Sequence, residues 1–228
     1  MERIAANARK QGRVTLLEPE AKEICVAYGI PTPNFRVARS AAEAASLAEE
    51  LAYPMVLKIV SPDILHKTEV GAVIVGLNTR EEVTAAYDRI LSNVKSHVPE
   101  ARVEGVLVQS MAPAGVEVIV GGLRDRTFGP TVLFGLGGIF VEVLKDASFR
   151  VAPLSRQDTG QMIEEVRGYP LLKGVRGQPA SDEEAIIQIL QATSRLMLEN
   201  SQIQQVDFNP VVVYAKGAAV VDARIILG

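Results

Sequence analysis

What constrains this chain most is the order of its short strand-like runs around marked helix starts. Between Phe35 and Gln109 that order is β-α-β-β-α-β. The runs Phe35–Ala38, Met55–Val60, Val70–Leu77 and Val103–Gln109 carry the apolar and β-branched residues that strands favour. The two intervening segments each open on a hydroxyl residue followed three positions later by Glu, at Ser40…Glu43 and Thr79…Glu82. At that spacing, hydroxyl and carboxylate each satisfy an orphan N–H group of the first helical turn. Tyr53-Pro54 ends the first of these helices, and the second runs to about Ser96. A split βαβ order of this kind puts both helices on one face of a small sheet.

The flanks follow other signals. Residues 1–13 are small and polar and are read as a partly ordered lead-in. A helix is expected from Leu17-Glu18-Pro19-Glu20 to about Tyr28, with Pro near the first helical position and Gly29 as the stop. Ile30-Pro31-Thr32-Pro33 forces extended chain. Ser110-Met111-Ala112-Pro113-Ala114-Gly115 breaks the pattern and reads as a hinge. Beyond it, strands are expected at Val116–Gly121, Thr131–Phe134, Ile139–Val143 and Phe149–Ala152, with turns at Gly121-Gly122 and Gly129-Pro130. Ser155 begins a helix to about Val166, and Tyr169-Pro170 with Gly174…Gly177 reads as loop. Ser181…Glu184 has the capping-box form and opens the longest helix, to about Asn200. Its stripe is Ile186, Ile187, Leu190, Thr193, Leu196 and Met197. A last hairpin, Gln204–Tyr214 and Ala218–Ile226, turns at Lys216-Gly217. The expected fold class is α+β, with two lobes, 14–111 and 112–228, and a ligand cleft between them.

Composition excludes several partners. The 24 basic and 27 acidic residues form no basic block, and Trp is absent, which argues against nucleic acid as ligand. A single cysteine, Cys25, rules out a disulfide framework or a cysteine metal cluster and points to a reducing, cytoplasmic setting. No apolar run has the length a membrane span needs, about 18 residues, and the first residues lack a secretory signal's apolar core.

Four places carry candidate chemistry. Lys58 stands in the apolar run VLKIV, as a contact to a nucleotide phosphate or as an edge-strand lysine reaching to water. Asp207 and Asn209 share a strand face, and the hairpin brings Asp222 towards Asn209 or Val211. This all-oxygen set suits Mg²⁺, against the plainer alternative of strand-end acids bonded to a turn. Glu117 faces either solvent or a ribose. His66-Lys67, on a loop between two strands, suggests phosphate handling, with His66 as phosphorus nucleophile or acid/base, or else a histidine bonded to backbone. Three further features count for less. Phe134-Gly135-Leu136-Gly137-Gly138-Ile139-Phe140-Val141-Glu142 is Gly-rich but lacks the Gly-Lys-Ser/Thr of a P-loop, and is either a tight turn or an approach to phosphate. His97 fits a helix C-terminus and Cys25 fits packing.

With these residues in view, the segments YPMVLKIVSPDILHKTEVGAVIVGL, GVLVQSMAPAGVEVIVGGLRDRTFGPTVLFGLGGIFVEVLKDASFRVAPL, YPLLKGVRG and VDFNPVVVYAKGAAVVDARIIL resemble the ATP-grasp family. Within it they resemble the beta subunits of ADP-forming acyl-CoA synthetases of the acetate–CoA ligase type, and the likeness spans most of residues 14–228. The same segment order occurs fused in larger chains, including bacterial protein acetyltransferases, so an ATP-sensing regulatory module is the alternative. The resemblance implies two antiparallel-sheet lobes gripping ATP or ADP with Mg²⁺. It implies phosphate contact for Lys58, adenine contact for Gln109, Ser110 and Met111, and ribose contact for Glu117. Asn209 and Asp222 match the Mg²⁺ ligands of the related succinyl-CoA synthetases, where the position of Asp207 is usually Glu. His66 matches a histidine given a phosphorylation role in the acetate-type enzymes. A partner alpha subunit, in an α2β2 assembly, would bind CoA and carry its own phosphorylated histidine. Phosphoryl transfer to ADP would then run directly or through His66, with Lys67 and Asp207 beside the reacting group.

Overall fold

The computed structural model describes residues 1–137, 146–175, 177 and 179–228. The expected strand Ile139–Val143, and with it most of the Gly-rich stretch, lies outside those residues. Two compact units emerge, one built from Leu17–Pro19 and Pro33–Ala112, the other from Met1–Leu16, Glu20–Thr32 and Pro113–Gly228.

The first unit is a four-stranded antiparallel sheet in the order β1-β4-β2-β3, formed by β1 (Phe35–Ala38), β2 (Met55–Val60), β3 (Val73–Leu77) and β4 (Gly105–Ser110). Helices α3 (Ala41–Leu51) and α4 (Arg80–His97) cover one face. Ala44, Ala45, Ala48, Val83, Ala86 and Ile90 pack there with Met55, Leu57 and Ile59. Alternation along β2 then sends Lys58 to the other face. The helices start where their caps place them, with one change. Ser40 Oγ accepts from the Glu43 N–H at 3.2 Å, but the Glu43 carboxylate takes the Arg39 N–H at 2.7 Å, one residue earlier than a reciprocal box requires. Thr79 and Glu82 repeat the arrangement, with Asn78 donating to Glu82 at 2.6 Å. β3 starts at Val73 rather than Val70, because Lys67–Ala72 is closed by the Ala72 N–H donating to the Lys67 carbonyl at 2.8 Å.

The second unit is a six-stranded sheet of β5 (Val116–Asp125), β6 (Gly129–Leu136), β7 (Ala147–Val151), β8 (Ile203–Val213), β9 (Ala218–Val220) and β10 (Ala223–Leu227). Its path is β10-β8-β5-β6-β7, with β9 beside β8. Five helices belong to this unit among the described residues: α1 (Glu2–Lys10), α2 (Glu18–Ala27, whose first turn lies in the other unit), α5 (Arg156–Glu165), α6 (Tyr169–Leu172) and α7 (Glu183–Glu199). The predicted stripe of α7 is buried throughout, against Val120, Val132, Phe134 and Phe208. No helix among the described residues is long and apolar enough to cross a membrane.

Several expectations need correction. Residues 1–13 are not a loose lead-in: α1 buries Ala5 and Ala8 in the core of the six-stranded unit. Residues 20–32, expected in the first lobe, pack there too, since Ala21, Ile24 and Cys25 share that core. Burial pushes the Cys25 thiol up to about 12, which leaves it an inert packing group. Gly121-Gly122 is no turn but the middle of β5, paired on both sides. Glycine is needed there because a Cβ on Gly122 would sit 2.9 Å from Met197 Cγ, where α7 presses on the sheet. α7 is capped by Asp182, which accepts from the Ala185 N–H at 3.1 Å, not by Ser181. The complete capping box belongs to Ser155 and Asp158. Tyr169-Pro170, read as loop, opens α6.

Gly168 marks the tightest joint. A Cβ there would lie 2.1 Å from Leu136 Cδ1, and the Arg167 and Gly168 N–H groups both donate to the buried Asp146 carboxylate, at 2.8 and 2.9 Å. Gly168→Ala is therefore expected to cost about 1–3 kcal/mol through overpacking. Urea unfolding measures this, and a change below about 0.5 kcal/mol would show that Leu136 yields freely.

Candidate functional site

Lys58 lies on an inner strand, between β4 and β3, and is 5% exposed. The edge-strand reading is therefore wrong. A lysine that deep needs a counter-charge, and Glu18 supplies one: Lys58 Nζ donates to Glu18 Oε1 at 2.7 Å. Lys67 Nζ donates to the other oxygen, Glu18 Oε2, at 2.8 Å. One buried carboxylate thus holds two ammonium groups, one from a strand and one from the loop after it. In the sequence Glu18 reads only as part of a helix start. An acid at that position is ordinary, and nothing local marks it as a partner of residues 40 and 49 positions away.

His66, next to Lys67, is open to solvent. Its side chain is 72% exposed, with Nδ1 3.8 Å from the Glu69 carboxylate. The other histidine is spoken for: His97 Nδ1 meets the Asn93 carbonyl at 2.8 Å in the last turn of α4.

Gln109, Ser110 and Met111 close the four-stranded unit. Gln109 is fully buried. The Ser110 N–H donates to the Asn34 carbonyl at 2.9 Å and the Met111 N–H to the Pro54 carbonyl at 2.8 Å. Both amides are thus engaged, and Met111 exposes its side chain.

In the six-stranded unit the sheet face away from the helices gathers the other candidates. Val118 and Val120 face the helical core, so Glu117, Ile119 and Gly121 face outward. Gly121 pairs with Asp207, which puts Asp207 on that outer face, and buried Phe208 leaves Asn209 there as well. Asp222 arrives through the hairpin: the Asn209 N–H donates to the Asp222 carbonyl at 3.2 Å. Gly137 closes the β5–β6 ladder beside Glu117, donating to its carbonyl at 2.8 Å. Asp207 and Asn209 border a hollow of about 620 Å³ whose wall includes Leu123, Leu133 and Phe149.

Burial pushes the Asp207 carboxyl above the usual range, the Arg224 guanidinium opposes this, and the Asp222 carboxylate adds to it. Arg224 sits directly across from Asp207 in the β8–β10 register, a pairing that the sequence does not announce. Among the described residues no three His, Cys, Asp or Glu side chains form a metal-ligand group. The expected set of two carboxylates and one amide offers few oxygens, the kind of set that Mg²⁺ completes with water and phosphate. A divalent ion would offset the carboxylate repulsion that now weighs on Asp207.

Comparison with known proteins adds the following. The family model described as ATP-grasp domain matches residues 7–227. The beta subunit of Acetate–CoA ligase [ADP-forming] I from Pyrococcus furiosus is 47% identical over 224 residues, 98% of this chain and 96% of that protein. Acetate–CoA ligase [ADP-forming] I from Archaeoglobus fulgidus is 47% identical over 92% of this chain, which spans only 30% of that longer protein. A solved structure of dinucleotide forming acetyl-coenzyme A synthetase 1 from Ca. Korarchaeum cryptofilum superposes with a TM-score of 0.89 at 49% identity, covering 100% of this chain and 99% of that one. That structure holds coenzyme A and Mg-AMPPCP, with its phosphohistidine segment pointing towards the nucleotide binding site.

Proposed function

This chain belongs to the ATP-grasp family, and on that premise we propose that it is the nucleotide-binding subunit of an ADP-forming acyl-CoA synthetase of the acetate–CoA ligase type. It makes ATP from acyl-CoA, ADP and phosphate together with a CoA-binding partner subunit in an α2β2 complex. The observation that carries this reading is the convergence of Lys58 and Lys67 on one anionic group, with His66 next in the chain. Phosphoryl transfer asks little of a protein beyond positioning and charge compensation. Two ammonium groups held on a single carboxylate are suited to receive phosphate oxygens.

The roles follow. Lys58 and Lys67 offset charge on the transferring group. His66 takes the phosphoryl group from the partner's phosphohistidine and passes it to ADP: the P–N bond breaks as a terminal ADP oxygen forms the new P–O bond. Glu117 faces the ribose. Gln109, Ser110 and Met111 meet adenine, and since two of their N–H groups are engaged within the fold, carbonyl oxygens are their natural contribution. Asn209 and Asp222 would hold Mg²⁺, with Asp207 beside them. The ion supplies charge compensation across the phosphates when bound. A cytoplasmic setting matches a chain whose one thiol is buried and unpaired with another cysteine.

Titration calorimetry with ADP tests the reading. Heat of binding is expected only when Mg²⁺ is present, and Asn209→Ala is expected to weaken that Mg²⁺-dependent binding by at least about 10-fold. Wild-type protein that gives no heat with millimolar-range ADP and Mg²⁺ would end the proposal.

A further inference from the structure

We infer that Glu18 is a positioning residue that fixes the His66 loop to the phosphate-binding lysine. The inference rests on the roles proposed above for Lys58 and His66. Its ground is the geometry of one carboxylate. Glu18 is 3% exposed and spends one oxygen on strand β2, through Lys58, and the other on the loop, through Lys67. Other ties flank it: towards the loop's start Asp63 accepts from the Arg102 N–H at 2.8 Å and from the Arg102 guanidinium at 3.0 and 2.7 Å, and towards its end the Ala72 N–H donates to the Lys67 carbonyl at 2.8 Å. The Gly71 N–H donates to the Thr68 carbonyl at 3.0 Å, Asn93 Nδ2 donates to the Gly71 carbonyl at 2.8 Å, and the Ile59 N–H donates to the Ala72 carbonyl at 2.9 Å. On the other side Ile64 is buried and Leu65 exposed. At the loop's middle, the Lys67–Glu18 bond joins the chain beside His66 to the interior of the unit. His66 makes no such inward turn: it is solvent-exposed. Adjacent Cα atoms are about 3.8 Å apart, so holding Lys67 holds the backbone of His66. Because Glu18 binds Lys58 as well, the reactive imidazole and the phosphate-binding ammonium are set from a common point. Side-chain charge alone would not do this: Lys67 tied to a surface acid would leave the distance from His66 to Lys58 undefined.

Hydrogen exchange read by mass spectrometry on the full chain, with ATP-Mg²⁺ affinity and the rate of acid-labile labelling from ATP, tests this. The variants are Glu18→Gln, Lys67→Met and the two combined. In Glu18→Gln, amides of 61–72 are expected to exchange about 10-fold faster, the fold-change for removal of one charge-assisted bond. Those of β4, whose Leu107 pairs with Lys58, should speed up by a smaller factor, since the substitution also weakens the buried Lys58 pair. Lys67→Met should reproduce the loop effect, and the double variant should go no further, since both changes cut one link. Labelling of His66 should slow by about 100-fold, more than the affinity for ATP-Mg²⁺ falls. Unchanged loop exchange in Glu18→Gln, additive effects of the two substitutions, or equal loosening of β4 would each overturn the inference, the last by reducing Glu18 to a general stabiliser. Wild type that fails to bind ATP-Mg²⁺ would instead defeat the nucleotide reading, and wild type that binds but takes no label would defeat His66 as acceptor. In both cases the exchange measurements still decide whether Glu18 places the loop.

Discussion

Lys58→Met is expected to weaken ADP-Mg²⁺ binding by about 100-fold, the equivalent of about 3 kcal/mol, as befits removal of a charge-assisted hydrogen bond from a desolvated site. The same substitution should also destabilise the four-stranded unit, and the two effects must be separated. Lys58 sits on an inner strand with Glu18 as its counter-ion. Removing one member of a buried pair costs about 3–5 kcal/mol when the survivor is left alone. Here the surviving carboxylate keeps Lys67 at 2.8 Å, so about 2 kcal/mol is the expected loss. Glu18→Gln placed on top of Lys58→Met also breaks the Lys67 pair and should lower the stability further. It should recover none of the binding. Urea unfolding gives the first quantity and calorimetry the second. If Lys58→Met bound ADP-Mg²⁺ as tightly as wild type while unfolding more easily, Lys58 would be a core ion pair and nothing more.

The sequence reveals the local elements more readily than the ties between them. β1, β2 and the two capped helices of the first unit follow from apolar, β-branched runs and from Ser40 and Thr79, all within a few residues of what they control. The strand positions of Asp207 and Asn209 are equally readable, because period two decides their face once Val206 and Phe208 are inward. The failures share a cause. Gly121-Gly122 looks like a turn until Met197, 75 residues on from Gly122 in sequence, is known to press on it. The helix over Glu2–Lys10 buries only Ala5 and Ala8, and two alanines signal a core only when the surface that receives them is in place. Glu18 is the same case with a charge: its partners are a strand lysine and a loop lysine that the chain's path brings to it. Propensity and periodicity report on neighbours in sequence, and such long-range contacts leave no trace in either.

His66→Asn is expected to leave folding untouched and to abolish acid-labile phosphate on this chain. The side chain is 72% exposed and its neighbour Glu69 is 76% exposed, so neither a core contact nor a strong ion pair is at stake. Thermal unfolding should therefore match wild type. Chemistry should not: asparagine keeps hydrogen-bonding capacity and size but has no ring nitrogen to form a P–N bond. With the partner subunit present, turnover should fall by about 1,000-fold or more, the scale on which loss of a covalent nucleophile is felt. The exposure that makes the substitution harmless to stability is also what the role demands. A group that meets a phosphohistidine carried by another subunit must stand outside its own core, while Lys67 beside it is anchored inward to Glu18. On the proposed roles, the loop divides the work between adjacent residues, one reaching out and one holding on. Phosphorylated partner mixed with wild type should transfer label to this chain, and with His66→Asn should keep it. Full turnover in His66→Asn would mean that the partner's histidine delivers its phosphoryl group straight to ADP. Lys58, Lys67 and the oxygen set at Asp207, Asn209 and Asp222 would then be the whole of this chain's contribution to the transfer.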